Sequence, residues 1–205
     1  MQELHLPDGA FSAIVTFPAA DVVTVAEMKA HLRIDSDDED TVIGDCITDA
    51  IDEIDAENGQ TGRALITQTW SLVMPVFPAS GRFDLPVSPV QSITSVTYYD
   101  GDNAEQTLTA SAYRMTALPD RARVDLVNGY SWPATYDRAD AVTVTYVAGY
   151  GDASTDIPGG IRRAVKMLAA YFYEHREAAT EAKLAEAPLG VRHMLAKFRV
   201  PRGHI

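Results

Sequence analysis

The hydrophobic period of this chain changes twice, and that double change limits the folds open to it. Val42, Ile43, Cys46, Ile47, Ala50, Ile51 and Ile54 recur at spacings of three and four, which lays one apolar stripe along a helix. From Ala64 the period drops to two, with Ile66, Gln68, Trp70, Leu72 and Met74 alternating against Thr67, Thr69, Ser71 and Val73, bounded by Pro75 and Pro78. Beyond Ile157-Pro158 the helical spacing returns in Ile161, Val165, Leu168 and Phe172, widened by Ala164, Ala169 and Tyr171. A stripe of one period cannot serve the other element, so the order helix, strands, helix is set by the pattern. It predicts an α+β protein: a discontinuous helical domain of three main helices plus a C-terminal segment, with an inserted antiparallel β domain built as a sandwich or small barrel.

Local signals place the boundaries. Residues 1–20 carry two prolines and no period, and read as an N-terminal arm with room for one short strand. Thr24-Val25-Ala26-Glu27 is a capping box, and Val25, Met28 and Leu32 follow at helical spacing in a first helix ending near Arg33. The acidic run Asp35–Asp40 opens a second helix, complementing its dipole, and Asn58-Gly59 stops it. The helical domain thus takes 21–62 first, the β domain 63–150, and the helical domain again 151–187 with its third helix running to about Glu177. Strands are expected at 82–85, 92–99, 107–108, 112–116, 123–127 and 141–148, with turns at Asp100-Gly101-Asp102-Asn103, Leu118-Pro119-Asp120 and Asn128-Gly129. Residues 188–205 form a tail set off by Pro188.

Charge divides the chain more sharply than composition does. Residues 1–62 hold fifteen Asp/Glu against two Lys/Arg, the middle is nearly balanced, and 188–205 hold four Lys/Arg and no acid, for a net charge of −12. That balance argues against a protein that wraps nucleic acid by neutralising phosphates. The second helix carries Asp45, Asp49, Asp52 and Glu53 on the side away from its apolar stripe. Asp is a mediocre helix former, and Asp45 and Asp49 repel one another one turn apart, so helix stability alone does not explain this face. Its plain reading is a solvated surface that aids solubility.

Signatures of chemistry are sparse. The five histidines are scattered, with no zinc-ligand spacing, and neither a nucleophile elbow nor a phosphate-binding glycine loop is present. Asp35-x-Asp37-x-Glu39 starts like a calcium loop, but its sixth position is Asp40 and its twelfth Cys46. Asp100-x-Asp102 suits a hairpin turn better than an ion. Cys46 sits among apolar helix residues and reads as a small buried hydrophobe. Neither catalysis nor a metal nor a cofactor is expected. With no run of eighteen apolar residues and no signal-peptide pattern at Met1–His5, the sequence predicts a cytosolic protein with no membrane partner.

The tail, by contrast, has the makings of a docking segment. Leu195 and Phe198, three apart, stand with Met194 among Arg192, Lys197, Arg199 and Arg202. A short amphipathic helix with a basic rim fits a partner's groove. The competing readings are a tail folded back on its own domain and a disordered end.

Four segments, in this order, resemble the phage head-tail connector, or adaptor, family of long-tailed phages and gene transfer agents. They are Thr24–Arg33 (TVAEMKAHLR) with the acidic turn after it, Leu85–Asp100 (LPVSPVQSITSVTYYD), Val144–Gly151 (VTYVAGYG), and Ile157-Pro158 through Ile161-Arg162 with Leu168–Tyr171 and Tyr173-Glu174. The likeness covers roughly 22–200. It implies a homo-oligomeric ring, usually of twelve copies, under the portal protein at one capsid vertex. Such a ring passes DNA through its bore as a non-specific cargo and receives a neck, stopper or tail protein on its far side. It further implies a place in the virion neck after synthesis in the bacterial host cytoplasm, and a C-terminal segment that anchors on the portal. On that basis Arg192, Leu195, Phe198, Arg199 and Val200 become the portal-docking residues. Asp45, Asp49, Asp52 and Glu53 become a candidate channel wall, since a negative wall does not grip phosphates. Equally, that face can pair with Arg162, Arg163 and Lys166 of an adjacent copy.

Two rivals remain open on sequence grounds. One is a carbohydrate- or receptor-binding β module on a helical base, with Trp70, Trp132, Tyr98, Tyr99 and Tyr130 as a sugar platform, although aromatics on strands are more often core. The other is an acid-dependent hydrolase, for which sequence spacing cannot place two carboxylates across a bond.

Overall fold

The computed structural model describes residues 6–56, 59–118, 121–175 and 189–200. The chain divides into two compact units, each drawn from separate stretches: one of residues 20–66 and 150–199, the other of residues 1–19, 67–149 and 200–205.

The helical unit is built on α1 (Val25–Leu32), α2 (Asp40–Ile54), α3 (Gly159–Glu174) and α4 (Leu189–Ala196). Helix α1 starts where its capping box dictates: the Thr24 hydroxyl accepts from the Glu27 N–H at 3.2 Å, and the Glu27 carboxylate accepts from the Thr24 N–H at 3.4 Å. Arg33, in the left-handed region at φ 61°, ends it. The acidic run does not join α2, which begins only at Asp40. The Ser36 hydroxyl accepts from the Asp38 N–H, a local bond that competes with helix, and Lys29 pairs with both Asp37 and Asp40. Helix α2 also stops early, at Ile54, where Asp55 turns extended and its carboxylate accepts from the Leu65 N–H at 2.8 Å.

The core of this unit is the stripe foreseen on α2 packed against the stripe on α3. Ile43, Ala50 and Ile54 meet Ile161, Ala164, Val165 and Leu168 there, joined by Met28 of α1 and by Leu65 and Ile66. Val191 and Leu195 of α4 are fully buried in the same cluster. At roughly 1.5–3 kcal/mol for each large side chain removed from water, this shared core holds the four helices together. Helix α3 ends at Glu174, and the polar link expected after it falls outside the described residues.

The β unit holds two antiparallel sheets. One has the order β1 (Phe11–Thr16), β2 (Gln68–Met74), β8 (Val142–Ala148), β4 (Val90–Tyr99), β5 (Glu105–Thr107). The other runs β3 (Arg82–Leu85), β7 (Ala122–Leu126), β6 (Tyr113–Ala117). Neither sheet closes on itself, so of the two architectures expected the barrel drops out. The long pairing of β2 with β8 runs unbroken from Gln68 opposite Ala148 to Met74 opposite Val142, and period two puts Trp70, Leu72, Met74, Val142, Val144 and Tyr146 inside. Strand β1, from the segment read as an arm, lies along β2 as an edge strand with a register shift between Ile14 and Thr16. Phe11, Val15 and Phe17 are exposed there.

Asp84 is fully buried in the smaller sheet, with Arg121 Nη1 at 3.3 Å and Arg123 Nε at 3.2 Å. Two guanidinium groups compensate the carboxylate where water cannot.

Candidate functional site

The acidic face, the α3 cations and the tail residues other than Val200 all belong to the helical unit. On α2, Asp45, Asp49, Asp52 and Glu53 are all exposed, opposite buried Ile43, Cys46, Ile47, Ala50 and Ile54. The helix has no basic residue in its last turn to offset them. Glu53 accepts from the Gln60 side-chain amide at 2.7 Å. For Asp45, Asp49 and Asp52 the described residues supply no ion pair.

The α3 cations divide between two sides. Arg162 Nη2 lies 2.6 Å from a Glu27 carboxylate oxygen and Lys166 Nζ 3.8 Å from the other, so both reach α1 of their own chain. Burial alone would raise the Glu27 carboxyl. The bonds from Arg162 and from the Thr24 N–H, with the charges of Lys166 and Arg162, outweigh it and hold the group below its ordinary value. Of the grouped Arg162, Arg163 and Lys166, two are thus paired within their own chain. Arg163, one residue on, points elsewhere and is exposed.

The tail too departs from expectation. Leu195 is fully buried in the helical core, and Phe198 is half-buried against it. The Phe198 carbonyl accepts from Arg63 Nε at 2.6 Å, and Arg199 Nε donates to the Gln60 carbonyl at 3.0 Å. The segment therefore folds back on its own unit, with Leu195 in the core of that unit. Val200 is buried as well, while Arg192 and Arg199 are exposed.

This return of the tail makes a feature that sequence reading missed. Where α4 crosses the start of α3, Gly159, Gly160, Arg163, His193, Met194 and Lys197 line an open hollow of about 450 Å³. Gly160 permits the crossing: a Cβ there would meet the Phe198 ring at 3.2 Å. Arg163, His193 and Lys197 are exposed, and the N-cap residue of α3, Pro158, offers no side-chain bond to the first N–H groups. The hollow is therefore positive through side chains and backbone alike. Its one signal in the sequence was the one-turn spacing of His193 and Lys197.

The other candidates resolve locally. Asp100 accepts from the N–H groups of Asp102 and Ala104, each at 3.0 Å, as a hairpin turn requires. Trp70 is buried, Trp132 stacks on Phe77 at 4.7 Å, and Tyr99 lies under the Arg138 guanidinium. These aromatics do not present one exposed platform. No group of three His, Cys, Asp or Glu among the described residues is placed to hold a metal.

Residues 22–122 match the model of the phage gp6-like head-tail connector proteins. That stretch runs from the approach to α1 to the first residue of β7, and over it the chain is similar to the head-tail connector family. Three solved structures share its fold nearly end to end. A chain in the neck of an empty gene transfer agent particle, computed with C6 symmetry, is 24% identical with a TM-score of 0.77. One in the virion of a native gene transfer agent particle is 25% identical at 0.76, and one in a native neck computed with C12 symmetry is 24% identical at 0.75. In each case 95% of this chain and 97% of the other are covered. No curated protein sequence matches the chain.

Proposed function

We propose that this protein is the subunit of a homo-oligomeric ring, of twelve copies, at the neck of a phage or gene transfer agent particle. The ring joins the portal protein to the next neck, stopper or tail protein and leaves a central channel through which DNA passes. The observation that carries this reading is the end-to-end likeness to gene transfer agent neck chains, one of them in a twelvefold neck, together with the connector-family match. Both units of the chain are included in that likeness, which favours one whole connector subunit over a sugar-binding module on a helical base. Its work is structural: to hold two larger assemblies in register and stay inert to the nucleic acid between them. A net charge of −12 suits that task, because a wall that neutralises no phosphates does not retain the duplex.

Portal docking falls to the exposed Arg192 and Arg199, since Leu195 serves the subunit's own core. The reading is tested by mass photometry and negative-stain imaging of the purified protein, alone and mixed with the portal of the same particle. Rings on the portal are expected, with or without rings of the free protein. Monomers that ignore the portal would overturn it.

A further inference from the structure

A ring needs two different surfaces on every subunit, one for each neighbour, and they must fit each other. The helical unit carries one strongly negative surface and one positive hollow, and neither finds an opposite charge among the described residues. On α2, Asp45, Asp49 and Asp52 stand exposed with no ion pair among the described residues, although like charges one turn apart weaken the helix that bears them. At the α3–α4 crossing, Arg163, His193 and Lys197 surround the 450 Å³ hollow, likewise with no carboxylate among the described residues beside them. The neighbouring cations Arg162, Lys166 and Lys29 all have carboxylates of their own chain. Arg163 and Lys197 thus lack a carboxylate at the α3–α4 crossing, as Asp45, Asp49 and Asp52 lack a cation on α2, among the described residues.

The two also agree in pitch. His193 and Lys197 are four residues apart, as are Asp45 and Asp49, and Asp49 and Glu53; groups so spaced on a helix stand about 5–6 Å apart at Cβ. A helix edge bearing acids at that interval can lay successive carboxylates against His193 and Lys197, with Arg163 placed to pair with a third. Arg is the side chain best suited to bidentate carboxylate recognition.

We propose that the acidic face of α2 seats in the basic hollow of the adjacent copy, and that this head-to-tail contact is the seam of the ring. The proposal rests on the ring reading above and names its contact residues: Asp45, Asp49 and Asp52 on one copy, Arg163, His193 and Lys197 on the next. Helix α2 is then a joint between subunits and does not line the channel. A second copy is favoured over nucleic acid as the occupant. Two cations and a histidine on a chain of net charge −12 neutralise few phosphates, whereas the complementary acids come with every neighbour at the same stoichiometry. Charge pairing of this kind fixes register and excludes wrong contacts more than it adds affinity, which suits a ring that forms on a template.

The test is charge exchange in the full-length protein, read by counting rings on the portal. Arg163→Glu with Lys197→Glu should lower ring formation at least about tenfold, as should Asp45→Lys with Asp49→Lys, because like charges now face each other across the seam. All four side chains are exposed, so each variant should keep the wild-type melting temperature. Combining the four substitutions in one chain should bring ring formation back to within about twofold of wild type. Double variants that assemble normally, or a quadruple variant that stays monomeric, would overturn the seam while leaving the ring reading in place. Retention of DNA by the wild type that is lost in Arg163→Glu with Lys197→Glu, with rings intact, would also overturn it. Failure of the wild type to form rings on the portal would instead strike the ring reading itself.

Discussion

Arg162 reaches from the first turn of α3 to Glu27 in the first turn of α1, with Nη2 and Oε1 2.6 Å apart. Glu27 is at once the return half of a capping box and the carboxylate that occupies two α3 cations. Local helix chemistry and tertiary pairing converge on one side chain.

Replacing that carboxylate by an amide keeps a cap but removes the charge. Glu27→Gln should cost about 0.5 kcal/mol at neutral pH, as partly exposed ion pairs do. The folded protein holds this group below its ordinary value of 4.5, so its stabilisation is complete above that value and is lost as the pH falls through the lower, folded-state one. Thermal melts of the two proteins should differ at pH 7 and converge in acid below the depressed, folded-state value. A constant gap across that range would show that the charge is not the cause.

Shortening Leu195 separates core from docking. Leu195→Ala should destabilise the helical unit by about 2–5 kcal/mol in urea titrations, while Arg192→Ala leaves stability within about 0.5 kcal/mol and weakens portal attachment. Deleting the whole tail is a poor docking assay for the same reason, since it uncovers the core that Val191 and Leu195 close.

Asp84 should be the least replaceable acid in the β unit. Asp84→Ala leaves Arg121 buried beside an empty carboxylate position, for an expected loss of about 3–5 kcal/mol. A denaturation midpoint near that of wild type would mean water enters and solvates the guanidinium.

At the hairpin between β4 and β5, Asp100 is held below its ordinary 3.8 by the N–H of Ala104, then by the Gln106 side chain and the Asp102 N–H. Its stabilising effect exists above that value and fades as the pH drops through the depressed one. Asp100→Ala should speed hydrogen exchange at Asp102 and Ala104 at neutral pH and leave β2 and β8 amides unchanged.

How much of this was legible in the sequence depended on the range of the interaction. Thr24 and Glu27 are three residues apart, and their cap was readable because everything it needs is local. The bounds of β3 were readable too, from apolar residues between turn signals. The placement of β1 beside β2 was not, because Ile14 and Trp70 are 56 positions apart and neither names the other. The return of α4 was hidden for a different reason. The apolar face of Val191 and Leu195 looks the same whether its cover is a partner or its own core, and only the packing on α3 decides. Arg162 could not be assigned to Glu27 without the angle at which α1 meets α3, so its charge looked available.

The chain enters the β unit, leaves it for the helices, and returns before completing either. As it leaves the ribosome, β1 must wait through some fifty residues for the strand it pairs with. The apolar side of α2 stays uncovered until α3 is made, more than a hundred residues later. With both units closed by distant segments, neither can be cut out of the gene as one continuous piece, and folding is tied to late, long-range closure. A chain of this topology is thus most vulnerable midway through its own synthesis, when the apolar stripe of its acidic second helix still lacks its cover on α3.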